Sequence, residues 1–339
     1  MRSTWSRRTL IAFGACLLLS CKDTPKPAVE GSADAGAPSG KRLKIAVVPK
    51  GTTHEFWKSV HAGAMKAAKE VDADIVWKGP LKEDDLKAQI DVVSTFVAQG
   101  VSGIVLAPLN DSALKAPVKA ATDAKIPVVV FDSDLQGSMH ASFVATDNQA
   151  AGKLAGDAMT KALDGKGNLV VLRYQEGSAS TQNREKGFID AVKGLTMVSD
   201  NQYGGATTES AFQKSESLLV AHKAQAGAIQ GVFTPNESTT FGMLQALKKS
   251  GLNRKVKLIG FDSSEKLVAA LKDGDIDGLV VQNPFNMGYL AVKTMADHLR
   301  GKPIEKRIDT GARLVDRSNL EEPAVKELLQ PDLKKWLGE

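Results

Sequence analysis

From Leu43 onward, short apolar runs alternate repeatedly with longer amphipathic stretches, and this alternation is what most constrains the fold. A strand covered on both faces reads as a continuous apolar run, and parallel neighbours need helical crossovers. The pattern therefore predicts parallel sheets with helices on both sides. A first series places strands at residues 43–48, 73–77, 103–107, 127–131 and 141–144, with helices near 55–71, 84–98 and 112–124. A second places strands at 168–172, 227–233, 257–260 and 278–281, with helices near 148–163, 180–192, 209–221, 237–250 and 264–272. With 339 residues, 42% of them hydrophobic, the chain can build two cores. The expected class is α/β, as two doubly wound parallel-sheet lobes.

An internal echo supports two related lobes. Ile104-Val105-Leu106-Ala107-Pro108-Leu109-Asn110 parallels Gly231-Val232-Phe233-Thr234-Pro235-Asn236. Each copy leads through a helix to an aromatic-Asp pair, Phe131-Asp132 or Phe261-Asp262, so that Asp132 follows Pro108 by 24 residues and Asp262 follows Pro235 by 27. Asp132 and Asp262 are thus expected at equivalent places, one per lobe.

The N-terminus has the layout of an export signal: Arg2, Arg7 and Arg8, an apolar run from Leu10 to Leu19, then Ser20 and Cys21. The run is too short for a permanent membrane span. Leu18-Leu19-Ser20-Cys21 resembles the bacterial lipobox, which implies acylation at Cys21 and cleavage just before it. Residues 22–40, rich in Pro, Gly, Ala and Ser, read as a flexible tether. The organisation expected is a signal at 1–20, a lipidated linker at 21–40, one lobe from 41–145 plus 283–309, and a second from 146–282 plus 310–339 with the tail. Of the two cysteines, Cys16 leaves with the signal, so no internal disulfide remains. The formal charge of +5 falls to +2 without the three signal arginines, which gives no support to nucleic-acid binding.

In an open parallel sheet the ligand crevice lies beyond the carboxyl ends of the strands. Asp132, Asn236, Asp262 and Gln282 all follow expected strand ends. Carboxylates accept several hydrogen bonds while amides donate and accept, a set suited to hydroxyl groups. Phe56 and Trp57 open the first helix, where a ring could stack on an apolar C–H face.

These motifs, with Thr146-Asp147-Asn148 and Arg184 in Asn183-Arg184-Glu185-Lys186-Gly187-Phe188, resemble the ribose-binding-protein family of type I periplasmic sugar-binding proteins. The resemblance runs from about Leu43 to Val315. It implies that Phe56 and Trp57 sandwich a sugar ring and that Asp132, Arg184, Asn236, Asp262 and Gln282 bind its hydroxyls. It also implies a three-strand hinge at Thr146, Asp147 and Asn148, near Asn283 and near Thr310. Departures from the family pattern make ribose itself doubtful: Ser133 stands where an arginine is expected, Lys50 and His54 replace smaller polar residues, and no aromatic lies near Ala206. Lys50, His54, Ser133 and Asp134 are secondary binding candidates.

The expected protein is an exported, lipid-anchored, monomeric solute-binding protein that passes a sugar or polyol to an ABC transporter permease, without cofactor or metal. A sensory protein presenting a sugar-like signal to a membrane receptor is the alternative. A glycoside-processing enzyme could pair Asp132 with Asp262. However, no Walker loop, Gly-x-Gly-x-x-Gly or Gly-x-Ser-x-Gly occurs, and His54-Glu55-Phe56-Trp57 lacks the second histidine of a zinc-binding helix.

Overall fold

A computed structural model describes residues 42–338. The signal, the tether and Cys21 lie outside the described residues. The chain builds one lobe with β1 (Leu43–Val48), α1 (Glu55–Glu70), β2 (Ala73–Trp77), α2 (Leu86–Ala98), β3 (Gly103–Leu106), α3 (Lys115–Asp123), β4 (Val128–Phe131) and β5 (Ser142–Ala145). It crosses into a second with α4 (Asn148–Ala162), β6 (Asn168–Arg173), α5 (Ala179–Ala191), β7 (Thr196–Tyr203), α6 (Thr208–Ala221), β8 (Gly231–Phe233), α7 (Glu237–Lys249), β9 (Lys257–Phe261), α8 (Glu265–Asp273) and β10 (Gly278–Gln282). It then returns through α9 (Pro284–Leu299) and β11 (Arg307–Asp309), crosses again into β12 (Ala312–Val315), and ends in α10 (Pro323–Leu329) and α11 (Leu333–Leu337).

The two sheets run β11-β5-β4-β3-β1-β2 and β12-β10-β9-β8-β6-β7. They share one topology apart from the last strand, since β11 joins parallel to β5 and β12 antiparallel to β10. Both faces of each sheet are covered. Ile45 and Val47 of β1 face the layer formed by α1 and α9, while Ala46 and Val48 face α2 and α3. That two-sided burial explains the unbroken apolar runs. The class is α/β with two doubly wound lobes joined by three crossings. No described helix is long and apolar enough to cross a membrane.

Close helix crossings fix each lobe. A Cβ on Gly63 would sit 1.8 Å from the Phe285 carbonyl oxygen, and one on Gly288 2.0 Å from that of Val60, so α1 and α9 meet backbone to backbone. In the other lobe Gly152 of α4 would meet the Arg184 carbonyl at 2.0 Å, and Gly187 of α5 that of Gln149 at 2.1 Å. Only glycine permits such an approach.

Several expectations change. The strand expected at 227–233 is confined to Gly231–Phe233, because Gly227 adopts a left-handed φ of 74° that closes a 3-10 turn at Ala224–Ala226. The edge strand β7 and helix α9 were not expected. β7 is largely polar and exposed, and α9 begins at a proline directly after a strand. The tail divides instead of staying with the second lobe: Val325 of α10 is buried in that lobe's core, whereas α11 packs on α1 of the first.

Candidate functional site

The strand ends of both sheets face a small cavity of about 30 Å³, well below the roughly 300 Å³ of ordinary small-molecule pockets. Phe56, Trp57, Asp132, Arg184, Asn236, Asp262 and Gln282 all line it, as do Lys50 and His54. Ser133 and Asp134 do not. The Ser133 hydroxyl oxygen accepts the Ser180 backbone N–H at 3.0 Å across the cleft, and Asp134 Oδ1 accepts the Leu135 N–H at 2.7 Å.

The two aspartates occupy equivalent positions in detail. Asp132 and Asp262 have φ of 60° and 67°. The backbone N–H of each donates to the adjacent strand, to Val144 O at 3.1 Å and Val280 O at 2.9 Å. The left-handed turn costs about 1 kcal/mol for a residue other than glycine, least for Asp and Asn. It turns each carboxylate off the strand end toward the cleft. Neither is a helix cap: Asp132 leads through a loop into β5, and the cap of α8 is Ser264 rather than Asp262. Asp262 Oδ1 accepts from Gln282 Nε2 at 2.7 Å and Oδ2 from the Glu237 N–H at 2.9 Å. Asp132 Oδ2 pairs with Lys50 Nζ at 2.9 Å.

Lys50 is placed by a buried glutamine. Gln89 Nε2 donates to Pro49 O at 3.0 Å and Ala107 O at 2.8 Å, and its Oε1 accepts the Leu109 N–H at 2.8 Å. The ends of β1 and β3 are tied together where Lys50 leaves the sheet. From there its ammonium reaches Ser180 Oγ of the other lobe at 3.0 Å.

Arg184 is held from three sides. Its Nε donates to Asn148 Oδ1 at 2.8 Å, its Nη1 to Pro235 O at 2.9 Å, and its guanidinium lies 4.5 Å over the Phe261 ring. Asn148, expected only at the hinge, thus also orients a cavity residue. Thr146 Oγ1 donates to Gln282 Oε1 at 3.0 Å, which connects the first crossing to Asp262 through Gln282. Asp147 caps α4 and Asn283 caps α9, and Arg307 clasps the first crossing by donating to Ala145 O at 2.6 Å and Thr146 O at 3.0 Å.

Glu83, Tyr174, Ser180, Thr181 and Glu237 complete the lining and were missed by sequence reasoning. Glu83 is a hub: its Oε1 accepts from Trp57 Nε1 at 2.6 Å and contacts His54 Nδ1 at 2.8 Å, while the Tyr174 hydroxyl of the other lobe donates to Oε2. Burial works against both charges, but their mutual attraction and hydrogen bond prevail. Glu83, helped by Lys50 and Tyr174, falls to about 2, and His54 rises to about 9. The signal that could have found Tyr174 was its place directly after β6; Glu83 lies in a loop with no marking pattern.

One implied feature is corrected. The Phe56 and Trp57 rings meet edge to face, 4.9 Å apart at 89°, and Trp57 packs edge-on to Phe131 at 6.1 Å. Adjacent residues on one helix cannot form two parallel walls, and the indole N–H is engaged by Glu83. The pair therefore forms an apolar corner instead of a sandwich.

The two lobes, with a cavity between them lined by convergent hydrogen-bonding groups, have the architecture of a solute-binding protein. Residues 45–303 match the model of a periplasmic binding protein domain, and the chain belongs to that family. It is 39% identical to the periplasmic component of an ABC-type sugar transport system from Hahella chejuensis, with 81% of this chain and 100% of that one covered and a TM-score of 0.77. A carbohydrate transporter solute-binding protein from Agrobacterium radiobacter, in complex with D-arabinose, is 34% identical over 85% of this chain and 99% of its own, with a TM-score of 0.81. The ribose import binding protein of Bacillus subtilis is 26% identical over 90% of this chain and 96% of its own. These relatives are substrate-binding transport proteins, and the chain is a binding protein of that kind rather than an enzyme.

Proposed function

We propose that this protein is an exported lipoprotein, anchored through Cys21 to a bacterial membrane, that captures a sugar or related polyol between its lobes and delivers it to an ABC importer. One observation carries the ligand class: donors and acceptors from both lobes converge on a single cavity beside an apolar aromatic corner. In this reading Asp132, Arg184, Asn236, Asp262 and Gln282 bind hydroxyls, Phe56 and Trp57 cover a C–H face, and Lys50 and His54 add contacts from the first lobe. The crossings at Thr146-Asp147-Asn148, Asn283 and Thr310 serve as the hinge, and a solute touching both lobes favours closure by its differential affinity.

The test is a thermal-shift screen of pentoses, hexoses, polyols, amino sugars and amino acids, repeated with Asp262→Ala. Stabilisation by one sugar class, lost in the variant, is the expected result. Silence toward every sugar beside a response to another metabolite would sink the sugar assignment. N-terminal mass spectrometry of the membrane fraction should find an acylated Cys21, absent after Cys21→Ser. A sugar that binds but whose uptake is unaffected by loss of the protein would favour the sensory reading.

A further inference from the structure

The charges facing the cavity do not balance. Lys50 is matched by Asp132 at 2.9 Å, and His54 by Glu83 at 2.8 Å. Arg184 is the remaining cation, and its charge acts on Asp262. That leaves Glu237, the first residue of α7, which forms no ion pair among the described residues although it lines the same cavity. Its carboxylate accepts one long hydrogen bond, from the Phe56 N–H at 3.4 Å across the cleft. Its own backbone N–H binds Asp262, so a second carboxylate stands beside it.

Taking the sugar-binding reading as its basis, we propose that Glu237 determines specificity and that the solute carries a basic nitrogen among its hydroxyls, as an amino sugar or a ring-nitrogen sugar analogue does. A hydroxyl would give Glu237 a hydrogen bond but leave its carboxylate without a counter-charge in a partly buried site. An ammonium gives a charge-assisted bond and removes the surplus. Screening is weak in such a site, so the difference between the two ligands is felt strongly. The protonation behaviour of Glu237 is consistent with its isolation: burial raises its carboxyl to about 7, and Asp262 adds to this against the pull of His54.

The experiment is calorimetric titration at pH 7 of the wild type, Glu237→Gln and Glu237→Asp. The probes are D-glucosamine, D-galactosamine, D-mannosamine and 1-deoxynojirimycin, against D-glucose, D-galactose, D-mannose, D-ribose and D-arabinose. We expect an amine to bind the wild type at least about tenfold more tightly than its hydroxyl counterpart, a difference of about 1.4 kcal/mol. The preference should collapse in Glu237→Gln, which keeps the shape but not the charge, and persist in Glu237→Asp. A neutral sugar that binds as tightly as every amine, or an amine preference unchanged in Glu237→Gln, overturns this inference and leaves the sugar-binding reading standing. No binding by any probe overturns this inference, and the thermal-shift screen then decides the sugar-binding reading.

Discussion

Glu83 illustrates how a residue without a sequence signature can organise a site. It joins Trp57, His54 and Tyr174, and its charge state is tied to that of His54. Glu83, lowered from 4.5 to about 2, contributes stability that is present above pH 4.5 and lost as pH falls through 2. His54, raised from 6.5 to about 9, contributes stability that is present below pH 6.5 and lost as pH rises through 9. The pair therefore supports the fold most between these windows. Glu83→Gln should lower stability by roughly 2 kcal/mol near pH 6 and flatten both limbs. Urea-unfolding midpoints measured from pH 3 to 9 on both proteins check this, and limbs unchanged in the variant would refute it. Glu237, raised from 4.5 to about 7, acts oppositely to Glu83: its destabilising effect grows as pH rises from 4.5 through 7, and Glu237→Gln should remove that part of the slope.

At the scale of elements, glycine contacts position functional side chains. Gly152 of α4 touches the backbone of Arg184 in α5, and Asn148 at the start of α4 holds the Arg184 guanidinium. Gly152→Ala must push the two helices apart. It should cost about 1–3 kcal/mol of stability and weaken ligand binding about tenfold or more, through the displaced guanidinium. Denaturation and calorimetry on the same variant separate the two effects. Unchanged affinity would mean that Arg184 does not contact the ligand. The doubly wound order was legible because apolar runs and amphipathic stretches differ in period and length. β7 was not, because an edge strand with Asp200, Asn201 and Gln202 on exposed backbone lacks the apolar run that marks central strands. α9 was overlooked although Pro284 at its first turn is a helix-start signal, because only Asn283 separates it from the end of β10.

For the whole molecule, direct contacts between the lobes surround the cavity. Tyr174 reaches Glu83, Gln175 Nε2 donates to Glu83 O at 3.0 Å, Lys50 reaches Ser180, and the Asp111 N–H donates to Gly177 O at 3.0 Å. The C-terminal tail also spans both lobes, with α10 on one and α11 on the other. Closure thus has supports other than the solute. Tyr174→Phe removes one of them, and should shift the ligand-free protein toward an open form and weaken affinity about fivefold, equivalent to about 1 kcal/mol. Small-angle scattering with and without ligand tests this. An unchanged ligand-free radius of gyration would show that the tyrosine does not hold the lobes together.

The sequence by itself determined the layered α/β class, the duplication and the residues at strand ends, because periodicity and local turn chemistry are written in consecutive residues. It thereby named Asp132, Asn236, Asp262 and Gln282 as neighbours of one crevice. Only the tertiary structure decided which charges meet across it. Glu83 and Tyr174 are 91 positions apart and Phe56 and Glu237 181, and no local pattern records a pairing created by two lobes folding against each other. For the same reason the corner formed by Phe56 and Trp57, the double role of Asn148 and the uncompensated charge of Glu237 emerge only once the strands, helices and crossings are in place.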